Sequence, residues 1–388
     1  MIIIPEYLLL PDSTIRSGMA VKTGTDGTIL EVFPSEYCEL IEANSYRCCG
    51  LLIPGLVNSH CHLELSWCRG LYPEHAGMEA FYGAMSGVHS RRPSDKIILS
   101  DIQRAIDELQ RQGIVAIADI SNTDITLSAK IRSNIHFHTF LEVFGTNPRE
   151  AKYRFNDLLS LQNVFAEENQ SCSLSAHTLI TLSETLVSLL MTRIAKEKSF
   201  HSIHFLESNE ENIHFETKIP VRNVHGAEAE ASPFDSAAEA ACKSLPSSNK
   251  VMFVHNTFAD KKTIEKIISC FQDPWFCFCP ASNQFITGSL PDVPMIHALT
   301  PNILIGTDSL SSNHELNMFK EIDILLQKFP ALKPEILLQA ATLNGAKFLG
   351  IDDRFGSISK NKKPGLVLLE NYQPGLREFS SLKVKRLI

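Results

Sequence analysis

The sequence predicts an α/β chain: a (β/α)8 TIM barrel with a small β-sandwich domain built from both chain termini. Three observations predict it. Eight short apolar runs recur along the chain, helix-patterned stretches lie between many of them, and most of the runs end in a polar residue suited to chemistry. Strands that alternate with helices make parallel βαβ units, and eight such units close a barrel whose site lies at the C-terminal strand ends.

The runs, in order, are Leu51–Val57 leading into His60, Gly113–Asp119, Ile135–Phe144, Ser171–His177, Phe200–Glu207, Val251–His255, Trp275–Cys279 and Asn302–Asp308. Between the first two, Asp95–Gln112 carries apolar residues at Ile98, Ile102, Ile106 and Leu109, a helical period that Gly113 stops. Pro334–Leu349 starts with a proline in the first turn and ends at Gly350. Two connections exceed simple loops, Ser66–Ser94 and Ser208–Lys250. Connections of that length are functional lids or disordered segments, and both fall on the expected site face. Residues 1–53 and 356–388 are strand-like and turn-rich, with Gly365–Leu369 as one strand candidate, and are expected to pair as a composite β domain beside the barrel of residues 54–355.

Composition sets the outer limits. The 388 residues are 44% hydrophobic and 21% charged, ordinary for a globular chain, and 36 basic against 44 acidic residues give a net charge of −8. No Lys/Arg-rich stripe is present, so nucleic acid is not an expected partner. The apolar opening Met1–Leu10 lacks a positive start and is interrupted by Pro5 and Glu6, which favours a buried strand over a signal peptide. No run approaches the roughly 18 apolar residues of a membrane span. The ten cysteines are scattered, without a CxxC, and read as reduced, mostly buried thiols of a cytoplasmic protein. Cys277 and Cys279 lie in an apolar run and read as core. A small-molecule substrate is expected, and a homodimer is compatible with the sequence.

The densest local signal is Asn58-Ser-His60-Cys-His62-Leu-Glu64 after the first run. Residues two apart on a strand point the same way, so two imidazoles can reach one ion, whereas on a helix they would diverge by about 200°. The chain contains a control: His136 and His138 share the spacing but sit near the start of the third run, and read as structural. Partners for the first pair end other runs: His204 and Glu207 the fifth, His255 the sixth, Asp308 the eighth. Any one could be a core histidine or a cap. Together, three histidines and a carboxylate suit one divalent ion, zinc first, with iron or manganese as alternatives.

Pro54-Gly-Leu-Val-Asn-Ser-His60-Cys-His62, His204-Phe-Leu-Glu207, Val254-His255 and Gly306-Thr-Asp308 resemble the motifs of the amidohydrolase superfamily. The HxxE motif resembles its mononuclear branch, which deaminates aminopurines or dehalogenates triazines; Ser173–Thr178 lacks the lysine of dinuclear members. The resemblance implies that His60, His62, His204 and Asp308 hold the metal, and that Glu207, His255 and Asp308 serve attack of metal-bound hydroxide and release of ammonia. It also implies a substrate contact for His177, although the tyrosine that often follows is missing, and for Ser282 and Asn283 in Cys279-Pro-Ala-Ser-Asn283, where Ala281 replaces a frequent arginine. Glu207 could instead be a surface carboxylate beside Glu210 and Glu211. Glu64 would contact the base or steady a ligand histidine.

His62-Leu-Glu64-Leu-Ser66 and Ile203–Ser208 resemble aminodeoxyfutalosine deaminases of the alternative menaquinone pathway. Their substrate, 6-amino-6-deoxyfutalosine, bears a carboxylate; Arg91 and Arg92 are the candidate cations, unless they are a solvated helix end. His214 and His225 have a weaker claim to substrate. Alternatives left open are another cyclic amidine, a guanine-like base or a halogenated triazine, and a catalytically silent binding protein. A structural zinc domain would need converging thiolates that the cysteine spacing does not offer.

Overall fold

The computed structural model describes residues 1–40, 45–218 and 232–388. Two four-stranded parallel sheets form the centre. The first holds Leu56–Cys61, Ile114–Ser121, His136–Val143 and Ser171–Ala176 in that order. The second holds His201–Phe205, Lys250–His255, Asp273–Phe278 and Ile303–Ile305. Backbone hydrogen bonds span both gaps between the sheets: His204 N to His177 O at 2.9 Å on one side, Thr307 N and Asp308 N to His60 O at 3.0 Å on the other. Cys61 and Asp308 form a parallel bridge at the second gap.

The strands are buried along their length, as parallel strands between two apolar layers must be. Their outer faces pack against helices that include Asp95–Arg111, Ala151–Glu167, Glu184–Glu197 and Met318–Lys328. A second apolar cluster joins residues of both sheets, with Phe140, Met252, Val254, Cys277 and Phe348 among its members. Asp95–Arg111 buries Ile98, Ile102, Ile106 and Leu109, the stripe its sequence period marks. Pro334–Leu349 is continuous helix, with one wide turn at Ala340–Asn344.

The termini meet in one mixed seven-stranded sheet. Ile2–Leu9 runs parallel to Ser45–Pro54, and Leu366–Glu370 pairs antiparallel on the other side of Ser45–Pro54. A sandwich was the expectation; a single hydrogen-bonded sheet is what the described residues form. The run Leu51–Val57 is divided: Leu51–Pro54 ends a strand of the terminal sheet, and Leu56–Cys61 starts the parallel one. Gly55 makes the crossing, where a β-carbon would lie 2.2 Å from Val115 Cγ1 and 2.7 Å from Pro364 O.

The cysteine expectation needs correction. Cys242 and Cys270 are disulfide-bonded, joining helices Ala237–Ser244 and Lys261–Cys270 with their Cα atoms 5.7 Å apart, inside the range a disulfide spans. The other described cysteines are free, and Cys277 and Cys279 are buried. Among the described residues, no helix is long and apolar enough to cross a membrane. Ser66–Ser94 carries helix Met78–His89. Ser208–Lys250 carries Asn209–Thr217 and Ala237–Ser244; His225 lies outside the described residues.

Candidate active site

The strand ends bring the metal-type donors together. His60 Nε2 and His62 Nε2 lie 3.2 Å apart, and Asp308 Oδ1 is 3.7 Å from the first and 3.5 Å from the second. His204 joins the pair of histidines, with the three donor nitrogens within 4.8 Å of one another. Zinc–ligand bonds of 2.0–2.2 Å in a tetrahedron place neighbouring donors ~3.4 Å apart. The separations among His60, His62 and Asp308 match that edge, and His204, within 4.8 Å of the two histidines, is placed beside them as a further donor. Burial, with the neighbouring imidazoles, keeps His60 well below the ordinary histidine pKa, hence in the neutral form that ligates.

Local backbone form aims these groups. Leu206, His255, Asn256 and Asp308 all have positive φ, between 48° and 76°, at the ends of the fifth, sixth and eighth parallel strands. Non-glycine residues enter that region at a cost, and such strain collects at functional sites. Here it lies where the chain leaves each strand, beside Glu207, His255 and Asp308, which all line the cavity. Gly306 serves the same end: a β-carbon there would lie 2.7 Å from His60 Cβ and 2.8 Å from His60 N and O. Only glycine lets the eighth strand press against the first ligand.

Glu207 stands beside the donors, with Oε1 3.5 Å from His255 Nε2. Burial raises its pKa to about 8 and lowers that of His255 to about 3. His255 is therefore neutral near pH 7, and its contact with Glu207 is not an ion pair. Glu207 is not part of the acidic surface run. It and Glu211 are buried, and the Glu211 carboxylate accepts from Glu207 N at 3.0 Å.

The expected substrate contacts divide. Glu64 is buried on the cavity wall, its carboxylate accepting from Asn122 N at 3.0 and 3.1 Å and from Thr123 Oγ1 at 3.0 Å; burial raises its pKa to about 7. His177 also lines the cavity, with Nδ1 3.0 Å from Thr181 Oγ1. Ser282 and Asn283 do not line it. Ser282 Oγ donates to Asp308 Oδ2 at 2.5 Å, and Asn283 Nδ2 lies 3.0 Å from His255 Nδ1. Both are buried behind the site because the helix Pro280–Thr287 turns them onto Asp308 and His255. Arg91 is exposed and bonds Gly87 O; Arg92 reaches the cavity rim but pairs with Asp95 at 2.7 Å. His214 is buried in helix Asn209–Thr217 and does not line the cavity. His138 is structural, held between Ser171 Oγ at 2.8 Å and Ser173 Oγ at 2.9 Å.

Sequence reasoning missed Glu142, whose Oε2 lies 3.2 Å from His204 Nδ1. The available signal was a lone carboxylate inside the apolar run Ile135–Phe144. It also missed Ser312, whose hydroxyl donates to Asp308 Oδ2 at 3.1 Å, and Asn122. The site opens into a cavity of about 1400 Å³, with Trp67, Tyr72, Phe81, Tyr82, Phe144 and Ile180 among its walls.

Comparison with known proteins agrees with this geometry. The Amidohydrolase family model matches residues 51–388. An adenosine deaminase of Helicobacter pylori is 27% identical over 333 residues, 81% of this chain and 78% of the relative. The crystal structure of Helicobacter pylori aminofutalosine deaminase in complex with methylthio-coformycin superposes with a TM-score of 0.83 at 22% identity, covering 99% of this chain and 97% of that one. An adenosine deaminase from Xanthomonas campestris with bound zinc gives 0.75 at 21% identity, covering 98% and 87%. At those identities the two structures establish a shared fold.

Proposed function

The chain belongs to the amidohydrolase family, as a hydrolytic deaminase of carbon–nitrogen bonds, and we propose that its substrate is an aminopurine nucleoside, 6-amino-6-deoxyfutalosine before others. The observation that carries the substrate reading is the cavity. Pockets for drug-sized ligands span roughly 300–1,000 Å³. At about 1400 Å³, with aromatic walls beyond the donor cluster, this one exceeds the need of a bare guanine-like base or a triazine. It suits a purine nucleoside carrying a bulky aromatic substituent. The name of the Helicobacter pylori aminofutalosine deaminase structure supports the same choice, and that of the adenosine deaminase supports an aminopurine nucleoside.

His60, His62, His204 and Asp308 would hold one divalent ion, with the zinc of the Xanthomonas campestris structure favouring zinc. When bound, the ion supplies Lewis-acid activation of water. This chain's own residues supply the rest. Ser282 and Ser312 occupy Asp308 Oδ2, which leaves Oδ1 toward the histidines. With the Asn283 amide donating to its Nδ1, His255 carries its proton on Nε2, facing Glu207. Glu207 takes the proton of the attacking water and passes it to the purine ring nitrogen, and a proton then leaves with the amino group as ammonia. His177, its Nδ1 engaged by Thr181, presents Nε2 to the base. Water plus the amidine gives the oxo-purine plus ammonia, which balances. We read the two parallel sheets, bonded across both gaps, as one closed (β/α)8 barrel of residues 54–355, with 1–53 and 356–388 as the β domain.

The test is ammonia release by zinc-loaded protein from 6-amino-6-deoxyfutalosine, adenosine, methylthioadenosine, adenosylhomocysteine and guanine. We expect kcat/KM for the first to exceed the others by at least tenfold. A preference for guanine would overturn the nucleoside reading. Silence on all five, with metal bound, would move the search to other cyclic amidines and halogenated triazines.

A further inference from the structure

We propose that Glu142 is a positioning residue of the metal centre: through His204 it fixes the nitrogen that faces the ion, and Asn122 ties it to the substrate-facing Glu64. The inference rests on the reading of His204 as a metal ligand. Glu142 lies on the third parallel strand, one residue before its end, with a side chain 4% exposed. Its Oε2 is 3.2 Å from His204 Nδ1, and the same nitrogen is 3.2 Å from His177 O. Two acceptors converge on Nδ1, so the ring proton belongs there. His204 is left with Nε2 as its lone-pair donor. A ligand histidine whose other nitrogen donates to a carboxylate is held in orientation and made a better donor.

Asn122 connects this pair to the substrate side. Its amide nitrogen donates to Glu142 O at 2.8 Å and approaches Glu142 Oε1 at 3.5 Å, while its backbone N–H donates to the Glu64 carboxylate at 3.0 Å. One residue therefore spaces two buried carboxylates that both line the cavity, of which Glu142 alone engages His204. Packing alone does not call for a glutamate here. A buried charge is weak support for stability, and an apolar side chain of similar volume would serve at least as well. Glu142, His177 and His204 also place donor atoms within 4.8 Å of one another. A second cation there would require His204 to bind metals through both nitrogens at once, which the proton on Nδ1 opposes.

The experiment is zinc titration of metal-stripped protein against a chromophoric chelator, for wild type, E142Q, E142M and E142A, with thermal melts to confirm folding. E142M preserves volume, E142A does not, and both remove the acceptor; E142Q keeps an acceptor oxygen at the same reach. We expect one ion per wild-type chain. E142M and E142A should bind it 10–100-fold more weakly, and E142Q should retain most of the affinity. At saturating zinc, KM for the best substrate of the panel should stay within about twofold of wild type, with the loss in kcat, because the contact acts through His204. Zinc affinity unchanged in all three variants with a raised KM would overturn the proposal and make Glu142 a substrate contact. Two ions per wild-type chain, one lost in E142M, would overturn it in favour of a second cation site. Failure of the parent reading would look different: wild type itself would show no saturable zinc binding.

Discussion

Lys130 offers the sharpest stability test, because nothing of its side chain reaches solvent. It sits on helix Leu127–Arg132, with Nζ 2.5 Å from Asp119 Oδ2 and 2.8 Å from Thr139 Oγ1, and both charged side chains are 0% exposed. The rings of Phe137 and Phe165 lie 5.8 and 5.4 Å from the ammonium. Asp119 uses its other oxygen to accept from Leu63 N at 2.8 Å, on the residue after His62. K130M keeps the aliphatic stem and removes the cation, leaving Asp119 buried and uncompensated. Breaking one side of a buried pair costs about 3–5 kcal/mol. For 388 residues the unfolding entropy is roughly 0.8 kcal/mol per degree at 2.1 cal/mol/K per residue. The expected fall in Tm is therefore about 4–6 °C, read by calorimetry on zinc-loaded protein. The double variant K130M/D119N removes both charges and retains an oxygen for Leu63 N, so it should recover most of the loss, since paired removal is close to neutral. A K130M midpoint within 1 °C of wild type, or a double variant lower than the single, would refute the reasoning.

Three further outcomes follow from the geometry. E207Q should bind zinc as wild type does yet lose about 10²–10⁴ in kcat, the scale of general acid–base catalysis; near-normal turnover would remove Glu207 from the mechanism. Burial lowers the His138 pKa to about 3, below its ordinary value of 6.5, so the unfolded chain binds the extra proton between those limits and stability falls as pH drops below 6.5. H138Q should remove that dependence: from pH 7.5 to 5, wild type should lose about 2 kcal/mol more than the variant in urea titrations, at 1.36 kcal/mol per unit, and equal losses would contradict it. Removing metal with a chelator should lower Tm. An ion present at about 1,000 times its Kd adds about 4.1 kcal/mol to the folded state, worth roughly 5 °C on the entropy scale above; an unchanged melt would argue against a bound ion.

How much the sequence discloses depends on whether a signal is local. Strand period and the i, i+2 spacing of His60 and His62 are properties of one segment, and the strand Ile114–Ser121 falls within two residues of the run Gly113–Asp119. The division at Gly55 was hidden because strands on both sides of it are buried and equally apolar. Glu142, Lys130 and Asn122 act through partners 62, 11 and 58 residues away, His204, Asp119 and Glu64, and no spacing rule links such positions. Glu211 looked like part of a solvated acidic run, since composition reports charge and not depth. Ser282 and Asn283 were placed near the site, but which way the helix Pro280–Thr287 turns them is settled by packing against Asp308 and His255.

The site gains its direction from what lies behind it. Asp308 has Oδ2 held by Ser282 and Ser312, His204 has Nδ1 held by Glu142 and His177 O, and His255 has Nδ1 held by Asn283. In each case the rear atom is engaged and the opposite atom is turned toward the mouth. His60 differs: among the described residues its Nδ1 has no hydrogen-bond partner, and its position is set by contact with Gly306 and by backbone bonds from Thr307 and Asp308. Ser282 and Asn283 hold their partners from behind the cavity, whereas Glu142 and Ser312 do so from its wall. Among the described residues, other parts of the wall, such as Trp67 and Tyr82, make no hydrogen bond to these donors. Substitutions at wall positions such as Trp67 can therefore reshape the cavity without disturbing the donors, whereas substitutions at Glu142 or Ser312 cannot.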